Sequence, residues 1–378
     1  MKKIAEKHNI LFVLVGLGAG GSERVVLDLA RHLDRSKFDV YVAYFISGVL
    51  EEQFRGACRE IFHISKRKGF DLASMLKVSR IIRNSRIDTV NAHHYMPYFY
   101  SYLGSKILNK RGLIYTEHTA EEVERISGVH KWLCNKMMHN TNSIVGISKG
   151  IQEAFRRAFP RHYRRIVSIP NGIELERFEI LVNQNGLRRQ WGLLPEHFVV
   201  GTVAGFRRQK NHQCLIRAFH RLIRVHPNIR LFLVGPGSMD FADNTEQEVR
   251  QLIRTYGLKD SVVIAGERQD VPEILKTFDV FCLPSFYEGL PLSILEAMAT
   301  GVPVVGSDVR GIREVVIPEE TGLLFPSDDD NALAQALERL IKDKNLRNNL
   351  CKNAFTFVSQ THGIKQWVSA YECLFKSV

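Results

Sequence analysis

Short apolar runs alternate with amphipathic stretches along almost the whole chain. Residues 10–15 form a run of strand length, and 23–33 carry apolar positions at helical spacing. Residues 40–45 are strand-like again and 75–84 helical, followed by short runs at 89–92, 113–116, 143–146 and 166–169. Such alternation predicts a parallel sheet with helices on both faces. The rhythm breaks at Pro170-Asn171-Gly172 and stays broken, among turn residues and charges, to about Pro195. It then restarts with strands at 199–203, 230–234, 262–265, 280–283 and 303–306. Helices are expected at 212–225, 246–256, 271–277, 291–300 and 331–343. The expected fold class is therefore α/β, with two Rossmann-like domains in tandem and a boundary near 178/179. Two doubly wound sheets in tandem are expected to enclose a ligand cleft faced by the C-terminal ends of their strands.

Composition narrows the class. Among 378 residues, 45% are apolar and 24% charged, which suits a soluble globular chain of two domains. The six cysteines are scattered, with no C-x-x-C pair, so they read as reduced, mostly buried thiols and the expected localisation is cytoplasmic. The start, Met1-Lys2-Lys3 before the apolar run, superficially resembles a signal peptide. Glu6 and His8 interrupt its basic part, and the run leads into a glycine turn and a helix rather than a cleavage site. No run approaches the roughly 18 apolar residues of a membrane span.

The net charge of +12 is unevenly placed. Residues 1–180 hold 29 basic against 18 acidic side chains, and the remainder 23 against 22. Lys66-Arg67-Lys68, Arg156-Arg157 and residues 161–165 are the basic clusters. They read either as a solvated face or as an attraction to anionic lipid headgroups or a phosphate-bearing acceptor. Peripheral contact with the inner face of a membrane is therefore an expected partner interaction, whereas nucleic acid is not expected, because no nucleic-acid module is visible.

Two segments carry chemistry. Gly16-Leu17-Gly18-Ala19-Gly20-Gly21, between first strand and first helix, matches G-x-G-x-x-G. A dinucleotide site also needs an acid at the end of the second strand, and that strand ends Ala43-Tyr44-Phe45-Ile46-Ser47. What remains is a close-approach turn before a helix start that offers free N–H groups to an anion, or a tight turn without ligand. Residues 284–301 place Glu288 at a strand-to-helix turn and Glu296 inside the following helix. Pro291 suits the first helical position, leaving the N–H groups of Leu292 and Ser293 free for a phosphate. Carboxylates on either side of such a helix start suit a sugar and a ribose flanking a diphosphate. Asp328-Asp329-Asp330 precedes a helix and reads as capping rather than as a metal site.

At these residues the chain resembles the retaining glycosyltransferases of family 4, which have the GT-B architecture. The resemblance rests on residues 18–21, Tyr115-Thr116-Glu117-His118-Thr119, Gly146-Ile147-Ser148-Lys149 and Ile169-Pro170-Asn171-Gly172-Ile173. It continues through Lys210-Asn211-His212, Val234-Gly235-Pro236-Gly237, residues 266–271 and Glu288-x7-Glu296. It implies an acceptor-binding domain over 1–178, a nucleotide-sugar donor domain over 179–360, and a final helix over 361–378 that crosses back to the first.

It also implies roles. Glu288 and His118 would be the catalytic residues, one holding hydroxyls of the transferred sugar, the other contacting that sugar near the reacting carbon. Glu296 would hold the ribose. Arg207 and Lys210 would neutralise the diphosphate, and Gly289, Leu290, Leu292 and Ser293 would face it. Gly20 and Gly21 would face the diphosphate or the acceptor, and residues from Arg268 to Val271 would cradle the base. Many family members read Gly-Arg where this chain has Ala204-Gly205, so either Arg207 or Arg208 replaces that arginine. His93 and His94 either line the acceptor cleft or pack at a strand end. The family needs no metal and no cofactor beyond the nucleotide sugar. The implied reaction moves a hexose from a UDP- or GDP-linked donor to a hydroxyl of a glycan or lipid-linked glycan, as in surface polysaccharide assembly. A nucleotide-sugar epimerase, a phosphorylase, or a non-catalytic carbohydrate-binding relative are the competing expectations on this architecture.

Overall fold

The structure is a computed structural model that describes residues 7–237 and 243–378. The signal-peptide-like Met1–Glu6 stretch lies outside the described residues. The chain divides into two compact units, Met1–Gly172 with Ile364–Val378, and Ile173–Gly363.

The first unit is built on a seven-stranded sheet. Its strands are β1 (His8–Gly16), β2 (Phe38–Ile46), β3 (Glu60–His63), β4 (Thr89–His93), β5 (Gly112–Glu117), β6 (Ser143–Gly146) and β7 (Ile166–Ser168). They run in the order β3-β2-β1-β4-β5-β6-β7, every pair parallel. The strand order reverses between β1 and β4. Ile10, Leu11, Phe12 and Val13 are wholly buried, as expected of a central strand covered on both faces. Asp71 opens the helix Leu72–Asn84 by accepting from the N–H groups of Ala73 and Ser74, a standard N-cap. The final helix, Ile364–Lys376, belongs to this unit. Its Phe375 is fully buried, with ring centroids 5.9 Å from Phe12 and 6.3 Å from Phe38. Glu372 accepts from the Asp34 N–H at 2.9 Å.

The second unit repeats the plan. Its strands are β8 (Phe198–Val203), β9 (Ile229–Val234), β10 (Val262–Gly266), β11 (Val280–Leu283), β12 (Val304–Ser307) and β13 (Leu323–Phe325). They are ordered β10-β9-β8-β11-β12-β13, again all parallel, with the reversal between β8 and β11. Strand residues Val200, Leu231, Leu233, Val280 and Val305 pack with Leu215, Phe219, Leu337 and Leu340 from flanking helices in one buried cluster. Gly235 ends β9 at φ +152°, where an added Cβ would stand 2.2 Å from the Ala204 carbonyl oxygen, so the turns after β8 and β9 can approach each other only through glycine.

Both units are thus doubly wound α/β folds. Two short edge strands, β3 and β13, add to the expected set. The chain divides after Gly172, where the sequence places the boundary at 178, and the returning segment starts at Ile364, where the sequence places it at 361. No helix among the described residues is long and apolar enough to cross a membrane.

Candidate active site

In open parallel sheets, ligands bind beyond the carboxyl ends of the strands at the point where strand order reverses. In the second unit that point lies between β8 and β11, and the loops leaving these strands carry Lys210 and Glu288. Lys210 is placed by a tight turn. Asn211 adopts a left-handed conformation, φ +47° and ψ +44°, and its side chain caps the helix His212–Ile223 by accepting from the Cys214 N–H. The Asn211 amide donates to Asp328 at 3.1 Å, which anchors the turn from behind. His212, wholly buried and stacked on Phe206 at 4.7 Å, is pushed down to about 4 by burial, so it serves as a neutral packing ring.

Glu288 sits in the loop after β11, where the Lys210 ammonium and the Ser285 hydroxyl both donate to its Oε1, each at 2.6 Å. Side-chain exposure is only 7% for Glu288 and 19% for Lys210, so the pair is more strongly coupled than a surface ion pair. Gln209 clamps the loop from the other side: its amide donates to the Tyr287 carbonyl, and its own carbonyl accepts from the Phe286 N–H, both at 2.8 Å. Ser307, at the end of β12, donates to the Ser285 carbonyl. Behind the loop, Gly311 lies so close that a Cβ there would stand 2.3 Å from the Glu288 carbonyl oxygen and 2.5 Å from that of Gly289.

The helix after this loop runs Leu292–Thr300, and Pro291 is its N-cap with ψ 114°, outside the helix. This corrects the expectation that Pro291 is the first helical residue. The Pro291 carbonyl accepts from Ile294 at 3.2 Å and Leu295 at 3.5 Å, so Leu292 and Ser293 remain the first two N–H groups of the helix. Gly289 and Leu290 are buried in the turn. Glu296 is half-buried one turn further on.

Other expected residues take no part in that ion pair. Arg207 and Arg208 are exposed and make no ion pair among the described residues, so both guanidinium groups are available to an anion. Arg268 forms a forked pair with Asp270 at 2.7 and 2.8 Å and lies 5.4 Å over the Trp191 ring. It shares no hydrogen bond or ion pair with Lys210 or Glu288. Val271 begins the short helix Val271–Leu275. The three aspartates do as the sequence suggests. Asp329 caps the helix Asp330–Lys342, while Asp328 and Asp330 pair with Arg217 and Arg221.

In the first unit the order reverses between β1 and β4. Gly20 caps the helix Gly21–His32 without a side chain, and the Glu23 carboxylate lies over it, within 2.3 Å of where a Gly20 Cβ would be. That helix start therefore already holds an anion of its own, whereas Gly21 is open. Across the reversal, β4 ends at His93 and β5 ends at Glu117, followed by His118. The His118 ring lies beside both His93, with centroids 5.1 Å apart, and His94, at 4.8 Å. His118 Nε2 is 2.8 Å from His93 Nδ1. Of the two readings of His93, the packed strand end is the one observed: it is fully buried.

His94 Nδ1 lies 3.0 Å from Glu117 and 3.4 Å from Glu122. Burial pulls the His94 imidazole down, but the two carboxylates overcome it and hold its pKa at about 10. The Glu117 carboxylate, wholly buried, also accepts from the Tyr115 hydroxyl at 2.8 Å and the His118 N–H at 2.7 Å. Burial, then the His94 charge, hold His118 well below the ordinary histidine range and His93 down at about 3. The ligand atoms of His94, Glu117 and Glu122 lie within 4.8 Å of one another. A metal bound there would compete with a proton on His94 for the same two carboxylates.

Two Rossmann-like units, each with polar groups gathered at its strand reversal, are the architecture of the GT-B class. Comparison with known proteins makes this specific. The family described as "Glycosyltransferase Family 4" matches residues 19–177, and "Glycosyl transferases group 1" matches residues 183–357. The chain belongs to the family 4 glycosyltransferases, and it is a glycosyltransferase. It is 28% identical over 386 residues, 97% of each chain, to the UDP-Gal:alpha-D-GlcNAc-diphosphoundecaprenol alpha-1,3-galactosyltransferase of Escherichia coli. It is 25% identical, over 88% of this chain and 90% of the other, to the N-acetylgalactosamine-N,N'-diacetylbacillosaminyl-diphospho-undecaprenol 4-alpha-N-acetylgalactosaminyltransferase of Campylobacter jejuni. The crystal structure of Anabaena HepE in complex with UDP-glucose superposes with a TM-score of 0.88 at 22% identity, covering 98% of this chain and 100% of the other.

Proposed function

We propose that the protein transfers a hexose from a UDP- or GDP-linked donor to a hydroxyl of a glycan or lipid-linked glycan, with retention of anomeric configuration and without a metal. The observation that carries this reading is the Lys210–Glu288 pair at the strand reversal, with Glu288 in the loop that leads into the open N–H groups at the start of the helix Leu292–Thr300. In the reaction the bond from the anomeric carbon to the donor phosphate breaks as the acceptor oxygen bonds on the same face, and the acceptor proton passes to the leaving phosphate. The diphosphate gains charge as it leaves, so Lys210, Arg207 or Arg208, and the N–H groups of Leu292 and Ser293 stabilise the transition state. Glu288 holds the sugar hydroxyls, Glu296 the ribose, and residues from Arg268 to Val271 the base. His118, in the first unit, contacts the transferred sugar.

A panel of nucleotide sugars tests this in two stages. The ligand that raises the melting temperature most names the donor. Slow release of UDP or GDP without acceptor, and a product whose anomeric coupling matches the donor's, are expected. Binding without turnover, or an inverted product, overturns the reading. A further expected result separates the two carboxylates. Glu296→Ala weakens binding of free UDP or GDP more than Glu288→Ala does, measured by calorimetry. Equal losses would show that Glu296 does not hold the ribose.

In this reading the acceptor binds the first unit, and the Escherichia coli and Campylobacter jejuni relatives carry undecaprenol-linked sugars in their names. Peripheral contact with an anionic membrane fits that side. A cavity of about 370 Å³, lined by Phe70, Leu72, Phe99, Trp132 and Lys136 among others, opens on this unit. Phe70 and Trp132 are 67% and 60% exposed, and Lys66-Arg67-Lys68 precedes Phe70 in the chain. Exposed aromatic rings beside lysines are suited to a headgroup interface. Co-sedimentation with vesicles containing phosphatidylglycerol is expected at low salt and is expected to fade at high salt and in Trp132→Ala. Equal recovery with pure phosphatidylcholine vesicles overturns the contact with anionic lipid.

A further inference from the structure

His118 Nε2 and His93 Nδ1 face each other across 2.8 Å, and the surroundings of the two outer nitrogens bear on which ring carries the proton between them. Each ring has one nitrogen in that contact and one outside it. The outer nitrogen of His93, Nε2, is buried and has no hydrogen-bond partner among the described residues. The Phe12 ring packs near the His93 ring, with centroids 5.9 Å apart. The outer nitrogen of His118, Nδ1, also makes no hydrogen bond within the described residues, but His118 retains some exposure, 7%.

If His118 donated from Nε2, the proton of His93 would be forced onto its Nε2, leaving a buried N–H without a hydrogen-bond partner among the described residues. If His93 donates from Nδ1, its Nε2 is a bare lone pair. Orphaned buried N–H groups are rarer in proteins than under-used acceptors, so the second arrangement is favoured. The hydrogen bond made by one imidazole nitrogen fixes the state of the other. With Nε2 accepting, the proton of neutral His118 must sit on Nδ1.

We propose that His93 is a positioning residue, which donates from Nδ1 to His118 Nε2 and so makes His118 present an Nδ1–H donor to a ligand oxygen. This rests on the reading that His118 contacts the transferred sugar. A donor in that position binds a hydroxyl or ring oxygen and cannot serve as a proton-accepting base.

The surroundings keep the arrangement neutral. His93 faces His118 from the end of β4. His94 faces it from the N-cap of the helix Tyr95–Tyr102, protonated between Glu117 of β5 and Glu122 of the helix Ala120–Arg125. That adjacent cation opposes a second charge on His118, and burial acts in the same direction. His94 is itself held in a left-handed backbone conformation, φ +71°. A non-glycine residue there is strained, and such strain persists only where surrounding contacts hold it. The two carboxylates on His94 Nδ1 supply that hold and fix its charge beside the His118 ring.

The test uses the full chain labelled with ¹⁵N-histidine, with the His118 resonances identified by their loss in His118→Gln. Native His118 is expected in the Nδ1–H form, with no titration between roughly pH 5.5 and 8.5, where an ordinary histidine would change charge. In His93→Phe, which cannot donate, the Nε2–H form is expected to appear and kcat/KM to fall roughly 10- to 100-fold, the scale of a misplaced active-site group. In His93→Asn, whose amide nitrogen stands one bond beyond Cγ as Nδ1 does, the tautomer and most of the rate are expected to return. That rescue separates positioning from packing, because asparagine fills the site less well than phenylalanine. Native His118 found in the Nε2–H form, or an unchanged tautomer in His93→Phe, overturns the role of His93. A tautomer that shifts while transfer stays normal in both His93→Phe and His118→Gln overturns instead the reading that His118 touches the sugar.

Discussion

Exchanging Glu288 for glutamine is expected to lower the rate of sugar transfer by about two to three orders of magnitude, the scale of losing one pre-organised polar contact in a transition state. Binding of free UDP or GDP is expected to stay within about fivefold of native, a change of no more than roughly 1 kcal/mol, or to tighten. The asymmetry follows from the ion pair. Lys210 donates to Glu288 at 2.6 Å in the ligand-free protein, so a diphosphate must compete with that carboxylate for the ammonium. Glutamine keeps the shape and still accepts from Ser285, but it releases the charge on Lys210 to the phosphate. What is lost is an anionic acceptor for the sugar hydroxyls, buried to 7% exposure and therefore effective in a low-dielectric setting. Initial rates with the identified donor, together with calorimetry on the free nucleotide, check both halves. If nucleotide affinity falls as far as the rate does, Glu288 belongs to the nucleotide and not to the sugar.

Much of this arrangement is legible in the chain, and what is not has a physical reason. β1, β2, β8, β9 and β11 are apolar runs bounded by turn residues, so their existence follows from local pattern. β3 reads Glu60-Ile61-Phe62-His63, polar at both ends, and it is a strand because Tyr41 to Tyr44 of β2 pair with it. The helix Gly128–Asn140 turns Val129 and Trp132 outward, which spoils the apolar stripe that would have marked it. Glu288 and Lys210 are visible as motif residues, 78 positions apart. Their contact is not visible, because it depends on β8 and β11 being neighbours in the sheet. Ser285 and Gln209 adjoin those motifs but carry no signal until their partners are known. The same holds for His93, whose importance comes from the β4–β5 pairing that sets it opposite Thr116, two residues before His118. Pro291 shows the opposite failure. Proline suits both the first helical turn and the position before it, so sequence alone does not separate N1 from N-cap.

Gly311 is the residue for which that missing information matters most, and Gly311→Ala is expected to lower transfer by roughly 100-fold although Gly311 itself contacts no ligand in this reading. It lies in the four-residue helix Arg310–Arg313 that follows β12. A methyl group there would stand 2.3 and 2.5 Å from the carbonyl oxygens of Glu288 and Gly289, closer than any Cβ is tolerated, and both obstacles are backbone. The side chain cannot rotate away, so the loop holding Glu288 or the helix start must move. Overpacking of this kind costs about 1–3 kcal/mol in stability. The larger consequence is for geometry, because the Lys210–Glu288–Ser285 contacts are all set by where that loop rests. Gly56→Ala is the control: this glycine lies in the helix Glu51–Ala57, and a Cβ there meets nothing within 4 Å, so no loss is expected. Because Gly311→Ala acts through Glu288, the double variant Glu288→Gln/Gly311→Ala is expected to be little worse than the poorer single variant. Rates measured across the four proteins decide the matter. Losses that multiply would show that the glycine acts elsewhere, and a native rate in Gly311→Ala would show that the loop does not need its present position for transfer.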